Sequence, residues 1–406
     1  MNANRYGAWF KANRRLNLKK SSTAAIKEDV FIMVSGLDIS FMQRALNLAD
    51  LVRGKSSPNP TVGAVIVRGE DVIGEGYHQR AGEDHAEVAA IKLVKGDVRG
   101  ATIYVTLEPC CHTGRTGPCT QALIEAGITR VVVASLDPSA KVNGKGLAEL
   151  RDAGMEVEVL DGLLAARARA QNEAFRKHAV TGLPFVTFKS AMSLDGKIAT
   201  YAGDSKWISG EESRALVHSL RGEVDSIACG SGTAGIDDPM LTCRIPGDYS
   251  QPLRVIFDSK AGLSLGSQLV RTAGELATLV FVTEAAPAEK IKALQSAGVE
   301  VVVTGTMDGQ VDVGEALLHL GSREPAALSL LLEGGPTLAA SFVESGTIDK
   351  VMTFIAPKFI GGKEARTPVE GRGFRLVGEA APLYRVRHKA VGDDVLITAY
   401  TTQEEW

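Results

Sequence analysis

Residue types that can perform chemistry are concentrated in two short segments of the first half of the chain. The first is His85-Ala86-Glu87, and the second contains Cys110 and Cys119. One imidazole and two thiolates form a ligand set that suits zinc. Three protein ligands leave one tetrahedral position for water, which is typical of a catalytic zinc site. Because zinc lowers the pKa of its bound water to about 7, such a site makes hydroxide available at neutral pH.

Glu87 stands two residues after His85, and we interpret it as a proton carrier rather than a ligand. The order H-x-E, then P-C and a further cysteine, is the signature of zinc-dependent nucleobase deaminases. The commoner form has two residues between the cysteines, whereas here Cys111 to Pro118 separate them. A structural zinc finger would need a fourth protein ligand, for which Cys111 and His112 are the nearby candidates.

Composition limits the class of protein and its compartment. A length of 406 residues suggests two or three domains, and 45% hydrophobic residues with a net charge of −3 describe an ordinary globular chain. No overall basic character indicates nucleic-acid binding, and no apolar run approaches the roughly 20 residues of a membrane span. The five cysteines are odd in number and three lie at the candidate site, which favours the reducing cytoplasm over a disulfide framework.

The beginning of the chain differs from the rest. Residues 1–27 contain seven Lys or Arg and no acidic residue. This composition is typical of an organelle transit peptide, and an upstream extension of the folded unit explains it equally well. We therefore expect residues 1–35 to form a disordered basic leader and exclude them from the fold argument.

Strand and helix patterns alternate around the reactive segments. A helix capped by Asp38 is predicted to reach about Val52, and a single helix is predicted over residues 161–181. Between them the pattern predicts a hairpin over 62–67 and 72–76, a helix from His85, a strand over 101–107, a helix from Cys119, and strands over 130–135 and 155–160. This alternation predicts a three-layer α/β/α unit.

Several motifs in this half resemble one family closely. They are Pro58-Asn59-Pro60-Thr61-Val62-Gly63, Gly76-Tyr77-His78-Gln79-Arg80-Ala81-Gly82, His85-Ala86-Glu87, the segment Glu108 to Cys119, and Asp137-Pro138. The chain resembles the bifunctional riboflavin-biosynthesis deaminase–reductases. It departs from that family at Cys111, Gly117 and Ser139-Ala140, where Ser, Pro and Asn-Pro are usual, and none of these residues is a predicted ligand.

The resemblance implies a cytidine-deaminase-like domain over residues 36–182. It implies one Zn²⁺ held by His85, Cys110 and Cys119, with Glu87 as the catalytic residue. The implied substrate is a diaminopyrimidinone that carries a ribosylamino 5′-phosphate. The polar candidates for binding it are Asn59, His78, His112 and Arg115, each of which is otherwise a solvated loop residue.

The second half again alternates strands with helices, and it resembles the family's reductase, whose α/β fold is similar to dihydrofolate reductase. We expect this domain to cover residues 183–406. Its strongest local signal is an apolar strand that runs through Glu333 into Gly334-Gly335 and then Pro336 at a helix start. Backbone N–H groups at such a helix start can bind a pyrophosphate. The turn is not the G-x-G-x-x-G fingerprint, so a Rossmann fold is not indicated.

Residue by residue, the resemblance places two sets of side chains in this domain. The NADPH set is Ala191, Trp207, Thr233, Asp237, Ser259, Gly335, Pro336 and Thr337. The substrate set is Ser205, Arg221, Leu241, Arg244 and Glu333. Two arginines suit a phosphate monoester, and Glu333 could accept from ribose hydroxyls, although all three could instead be surface charges. The proton donor of the reduction is left open between Asp195, Asp237 and bound water.

The expected function is therefore zinc-dependent deamination of a pyrimidine ribosyl phosphate, followed by NADPH-dependent reduction of the ribosyl group to ribityl. The expected partner is this small molecule, with no nucleic acid and no membrane, and a homo-oligomer is left open. A nucleic-acid deaminase would need a basic channel with stacking aromatic residues, and neither is evident. An inactive binding module would not need His85, Glu87, Cys110 and Cys119 together.

Overall fold

The computed structural model describes residues 35–113, 117–247 and 249–406. This part of the chain divides into two compact units. One unit extends to Leu183 and also includes Glu324–Leu328 and Glu404–Trp406, and the other comprises Pro184–Arg323 and Ser329–Gln403. The predicted leader lies outside the described residues except for Ser35, which caps the first helix.

The first unit is built on a five-stranded sheet of order β2-β1-β3-β4-β5. Strand β1 pairs antiparallel with both β2 and β3, whereas β3, β4 and β5 are parallel. The strands are β1 Gly63–Arg68, β2 Asp71–Tyr77, β3 Thr102–Val105, β4 Arg130–Val133 and β5 Glu156–Val159.

Helices cover both faces of this sheet. They are α1 Gly36–Asp50, α2 Ala86–Leu93, α3 Cys119–Ala126, α4 Lys145–Asp152, α5 Gly162–Gln171 and α6 Glu173–Thr181. Ala90 of α2, Leu123 of α3 and Leu150 of α4 pack in one hydrophobic cluster. Met42 of α1 and Ala168 of α5 belong to a second cluster, which packs against the strand side chains on the opposite face of the sheet. The predicted three-layer α/β/α architecture is confirmed.

The first helix does not begin where the sequence suggested. Its N-cap is Ser35, whose Oγ accepts from the Asp38 N–H at 3.1 Å, while the Asp38 carboxylate accepts from the Ser35 N–H at 3.0 Å. This reciprocal capping box places Asp38 inside the helix rather than at its start. Asp38 also accepts from Arg130 Nη1 at 2.8 Å, a long-range pair that local pattern does not reveal.

The single helix predicted over residues 161–181 is wrong, because Asn172 divides it into α5 and α6. The Asn172 backbone leaves helical geometry at φ −117° and ψ 19°. Its amide side chain accepts from the Thr61 N–H at 2.7 Å and donates to the Thr61 carbonyl at 2.9 Å. The helix is thus interrupted by a tertiary contact, at an asparagine, whose side chain readily forms hydrogen bonds with backbone groups.

The second unit contains a nine-stranded sheet of order β10-β9-β8-β7-β13-β6-β14-β16-β15. Strands β6–β10, β13 and β14 are parallel, and β16 and β15 continue the sheet antiparallel. The strands are β6 Phe185–Ser193, β7 Ser226–Gly230, β8 Leu253–Phe257, β9 Thr278–Thr283, β10 Glu300–Thr304, β13 Ser329–Leu332, β14 Lys350–Ala356, β15 Tyr384–Val391 and β16 Asp394–Tyr400, with a separate hairpin of β11 Thr306–Met307 and β12 Gln310–Val311.

The helices of this unit are α7 Glu211–Glu223, α8 Ser231–Asp237, α9 Gln268–Arg271, α10 Ala288–Ser296, α11 Val313–Ser322 and α12 Pro336–Glu344, and a 3₁₀ turn covers Val377–Glu379. The sequence patterns did not predict α8, α9 or the β11–β12 hairpin, all of which are short. Because parallel strands end at one edge of the sheet, the residues that follow β7, β8 and β13 converge there. Within the described ranges, no helix combines the length and apolar character that crossing a membrane requires.

Candidate functional site

The predicted zinc ligands come together in the first unit. His85 is the N-cap residue of α2, Cys110 follows β3, and Cys119 is the first residue of α3. The ligand-capable atoms of these three residues lie within 4.8 Å of one another. His85 Nδ1 is 3.1 Å from Cys119 Sγ and 3.5 Å from Cys110 Sγ.

The pKa values of the Cys110 and Cys119 thiols are shifted in opposite directions. A hydrogen bond from the Cys119 thiol holds the pKa of Cys110 well below its usual range, and His85 acts in the same direction. The same hydrogen bond, together with burial, raises the pKa of the Cys119 thiol. A thiol that donates to a neighbouring sulfur favours a thiolate there, and a nearby cation would favour deprotonation of both sulfurs. Two convergent sulfurs and one imidazole nitrogen fit Zn²⁺, which favours deprotonated thiols.

Glu87 lies in the first turn of α2 but is not part of the metal cluster found among the described residues. Its side chain is buried, with 3% of the residue exposed. Burial raises the pKa of this carboxyl to about 7. A group with such a pKa can both accept and release a proton near neutral pH.

Asn59 and His78, two of the predicted substrate contacts, lie beside the cluster and contact each other. The Asn59 amide donates to His78 Nε2 at 3.0 Å, and His78 Nδ1 donates to the Asp84 carbonyl at 3.0 Å. An amide donor on Nε2 assigns the neutral, Nδ1-protonated tautomer. The His78 ring meets the His85 ring edge-to-face, with centroids 5.2 Å apart. His78 therefore supports the orientation of His85.

The other two predicted contacts belong to the segment between the cysteines. His112 is exposed in this segment. Arg115 lies outside the described residues, so its prediction is not addressed by the structure.

The second unit holds a separate cavity of about 1110 Å³. Every residue predicted for NADPH or substrate in this half lines it, namely Ala191, Ser205, Trp207, Arg221, Thr233, Asp237, Leu241, Arg244, Ser259, Glu333, Gly335, Pro336 and Thr337. Asp195 is not among the described lining residues, and its carboxylate accepts from the N–H groups of Ile360 and Gly361.

The Gly334-Gly335 turn has the form predicted for phosphate binding. Gly335 is the N-cap of α12 and Pro336 occupies the first turn. A Cβ added at Gly335 would lie 3.0 Å from Thr233 Oγ1, so the turn approaches α8 closely. The cavity volume of about 1110 Å³ slightly exceeds the roughly 300–1,000 Å³ typical of ligand pockets, and the N-terminus of α12, which lines the cavity, suits a pyrophosphate. The cavity thus fits a dinucleotide.

The cavity wall contains an ion pair that sequence reasoning missed. Arg221 donates from Nε to Glu333 Oε1 at 2.7 Å and from Nη2 to Oε2 at 2.9 Å. Lys189 Nζ is 3.7 Å from Glu333 Oε2. Burial acts to raise the pKa of Glu333, but Lys189 and Arg221 outweigh it and lower that pKa to about 2. The guanidinium of Arg221 is therefore occupied by Glu333. The signal that could have identified Lys189 is that it is the single charged residue of β6.

Arg244 has a different environment. It is exposed, and Nη2 donates to Nε2 of His218 at 3.2 Å. Of the two predicted phosphate arginines, Arg244 is the one whose guanidinium is not held by a carboxylate among the described residues.

Two family profiles match the chain, one in each half. The profile described as the cytidine and deoxycytidylate deaminase zinc-binding region matches residues 36–135. The profile described as the RibD C-terminal domain matches residues 184–397.

Similar proteins cover almost the whole chain. The riboflavin biosynthesis protein RibD of Actinobacillus pleuropneumoniae is 44% identical over 360 residues, which span 89% of this chain and 94% of the relative. RibD of Aquifex aeolicus is 39% identical over 365 residues, spanning 90% and 99%. A structure of Acinetobacter baumannii RibD is 33% identical, has a TM-score of 0.79 and covers 90% of this chain and 99% of its own. The structure of the diaminohydroxyphosphoribosylaminopyrimidine deaminase/5-amino-6-(5-phosphoribosylamino)uracil reductase of Thermotoga maritima is 34% identical, with a TM-score of 0.75 and coverage of 89% and 97%.

A zinc-binding deaminase region and a reductase region in one chain define a bifunctional deaminase–reductase. Its cofactors are Zn²⁺ and NADPH, and its substrate is a small-molecule pyrimidine. The chain belongs to the RibD family of riboflavin biosynthesis enzymes, in which deamination precedes reduction. The family predicted from the sequence motifs is confirmed.

Proposed function

We propose that the chain acts on 2,5-diamino-6-ribosylamino-4(3H)-pyrimidinone 5′-phosphate, first removing the ring amino group and then reducing the ribosyl group to ribityl. The observation that carries this proposal is the convergence of His85, Cys110 and Cys119 beside the buried Glu87 in one unit, with a cofactor-sized cavity in the other. The Thermotoga maritima relative, whose name describes both activities on such compounds, supports the choice of substrate.

In the deaminase unit, we assign the zinc ligands to His85, Cys110 and Cys119. Zinc lowers the pKa of a bound water to about 7 and so supplies a nucleophile at neutral pH. Glu87 takes up the proton of the attacking water on its carboxylate and delivers it to the exocyclic amino nitrogen, which leaves as ammonia. Burial of Glu87, which raises its pKa to about 7, matches this two-way role.

We assign binding of the pyrimidine and its phosphate to four polar residues, namely Asn59, His78, His112 and Arg115. His78 also keeps the His85 ring in place through the edge-to-face contact. Its ring nitrogens are both engaged, by Asn59 and by the Asp84 carbonyl, so it fixes the Asn59 amide beside the metal cluster.

In the reductase unit, we assign NADPH to Ala191, Trp207, Thr233, Asp237, Ser259 and the turn Gly335-Pro336-Thr337. NADPH supplies hydride, and the chain supplies orientation. Ser205, Leu241 and Arg244 would hold the substrate, with Arg244 on the phosphate and Glu333 accepting from ribose hydroxyls. The Arg221 fork holds the Glu333 carboxylate in one orientation, and Lys189 adds positive charge beside it.

We further propose that residues 36–182 are the deaminase domain and residues 183–406 the reductase domain. The five free cysteines agree with a cytoplasmic location. A homo-oligomer could form by pairing of strands at β15, which is an edge strand whose residues are largely exposed. Sedimentation of the purified chain measures its oligomeric state.

The direct test is incubation of the purified chain with the proposed substrate, with and without NADPH, followed by mass analysis and ammonia measurement. We expect ammonia and the deaminated ribosyl product without NADPH, and the ribityl product only with NADPH. Reduction of the substrate while its amino group is still present would refute the proposed order, and absence of both products would refute the proposed substrate.

A further inference from the structure

Glu108 is buried beside the metal-binding loop, although the mechanism above does not use it. The residue is 3% exposed and stands two positions before Cys110. Its Oε1 accepts from the N–H groups of Gly146 at 3.1 Å and Leu147 at 3.4 Å. Its Oε2 accepts from the N–H groups of Gly144 at 3.0 Å and Asp137 at 3.3 Å. The carboxylate thus accepts hydrogen bonds from backbone N–H groups of two other segments.

Three of these donors belong to the start of α4. Gly144 is its N-cap and offers no side chain to the first-turn N–H groups, which a helix cannot satisfy internally. Glu108 supplies the missing acceptor from a distant part of the chain, and its negative charge lies at the favourable end of the helix dipole. The fourth bond, to Asp137, ties the loop after β4 to the same carboxylate. Glu108 therefore links two segments to the strand end that leads into Cys110.

Gly146 provides a second, independent link at the same place. A Cβ added at Gly146 would lie 2.2 Å from the Pro109 carbonyl oxygen and 3.4 Å from Glu108 Cγ. A separation below 3.0 Å from backbone cannot be relieved by turning a side chain. The first turn of α4 therefore rests directly on the peptide that precedes Cys110, and only glycine permits this approach.

On its other side, Cys110 contacts the start of α3, where the Thr120 N–H donates to the Cys110 carbonyl at 3.2 Å and the Cys119 N–H donates to Cys110 Sγ at 3.4 Å. Cys110 lies in the irregular connection between β3 and α3, and it is half-buried. The Cys111 thiol makes a long contact of 3.8 Å to the Lys141 carbonyl, which lies in the loop that Glu108 ties down. The position of Cys110 Sγ relative to His85 Nδ1 thus depends on both neighbouring helices, because α3 contacts Cys110 itself and α4 contacts the Glu108-Pro109 peptide before it.

We propose that Glu108 and Gly146 are positioning residues of the deaminase metal site, which hold the Pro109-Cys110 peptide against α4 so that Cys110 meets His85 and Cys119. This inference rests on the ligand assignment proposed above. Groups that orient metal ligands typically contribute 10–100-fold to metal affinity or activity when they are altered.

Two substitutions test the proposal in the full-length zinc-loaded protein. Glu108→Gln keeps the shape, but its amide NH₂ group faces two N–H donors that it cannot accept from. Gly146→Ala leaves Glu108 intact and displaces the Pro109 carbonyl. Gly36→Ala is the matched control, because a Cβ at Gly36 meets nothing within 4 Å. We expect zinc affinity, measured by competition with a chelator, to fall about 10–100-fold in the first two variants and to stay unchanged in the control.

Cobalt substitution separates positioning from general stability. In both test variants the absorption bands of the cobalt-loaded protein should shift, while NADPH-dependent reduction of already deaminated substrate stays at the wild-type rate. Unchanged zinc affinity and cobalt bands, with only a lower unfolding temperature of the zinc-free protein, would overturn the positioning role. Failure of the wild-type chain to bind zinc would instead refute the proposed ligand assignment, so the two failures are distinguishable.

Discussion

The deaminase site and the reductase cavity are built in opposite ways. The first draws its reactive groups from two short segments that meet at helix starts, with Cys119 and Glu87 fully enclosed. The reductase cavity collects residues from Phe188 to Pro368 around the carboxyl ends of parallel strands. A metal concentrates the chemistry on a few atoms, whereas a bound dinucleotide carries the reactive group and needs a long binding surface. Single substitutions of reactive groups in the deaminase site should therefore abolish deamination, whereas single substitutions in the reductase cavity should only weaken reduction.

The largest effect is expected at the cysteine ligands. Cys110→Ser and Cys119→Ser should each lose bound zinc and bring deamination down to the level of the zinc-free protein, because a hydroxyl replaces thiolate poorly. Elemental analysis and ammonia release measure both. Cys111→Ser is the control and should retain metal and activity, since the hydrogen bond found for its thiol among the described residues is a long contact of 3.8 Å to the Lys141 carbonyl. Loss of zinc from this control but not from Cys110→Ser would reverse the ligand assignment.

The next effect is expected at Glu87. Glu87→Gln should retain zinc and lower deamination about 10²–10⁴-fold, because the proton carrier is removed. Reduction of deaminated substrate should continue at the wild-type rate. The crossed assay, with both half-reactions measured on this variant, decides whether the two sites are independent. Loss of the NADPH-dependent step as well would show that the halves share one site or one required conformation.

In the cavity, Arg221→Ala is expected to be more damaging than Arg244→Ala. It leaves Glu333 without its bidentate partner, and breaking a buried pair in this way typically costs about 3–5 kcal/mol. The reductase unit should unfold at lower temperature and use substrate poorly, while ammonia release is retained. Arg221→Ala combined with Glu333→Gln should recover stability but not reduction. If the single variant is as stable as wild type, the pair does not organise the cavity wall.

Arg244→Ala should act on substrate alone. Loss of a charge-assisted hydrogen bond to the phosphate corresponds to about 1.5–3 kcal/mol of binding, so the KM of the reduction should rise with little change in unfolding temperature. Arg271→Ala removes an equally exposed arginine outside the cavity lining and serves as control. An unaltered KM in Arg244→Ala would exclude Arg244 from phosphate binding.

The smallest effect concerns acid stability of the reductase unit. The pKa of Glu333 is lowered from 4.5 to about 2 in the folded chain. A lowered carboxyl pKa stabilises the fold above the unfolded-state value, and this contribution is lost as pH falls from about 4.5 towards 2. Thermal unfolding of wild type should decline over this range more steeply than that of Glu333→Gln. Parallel declines would show that the Glu333 charge contributes nothing to stability.

Much of the first site could be read from the chain, because metal ligands are a matter of residue type and spacing. His85, Glu87, Cys110 and Cys119 carry their chemistry wherever the fold brings them together. The α/β alternation and the Gly334-Gly335 turn before α12 could also be predicted from the sequence, since periodicity and turn residues are local properties. Helix boundaries were less predictable. The break at Asn172 arises from its hydrogen bonds to Thr61, which no local pattern encodes.

The sequence by itself determined the candidate ligand set, the order of the deaminase and reductase regions and the strand–helix alternation, because these follow from local residue chemistry. Tertiary structure alone decided that Arg221 clamps Glu333, that the His78 ring supports His85, and that Glu108 caps α4. Each of these pairings joins residues that are distant in sequence or turned to one another by packing. A buried charge or polar ring takes whichever partner the fold brings within hydrogen-bond distance, and that choice is made only when the sheets and helices have assembled.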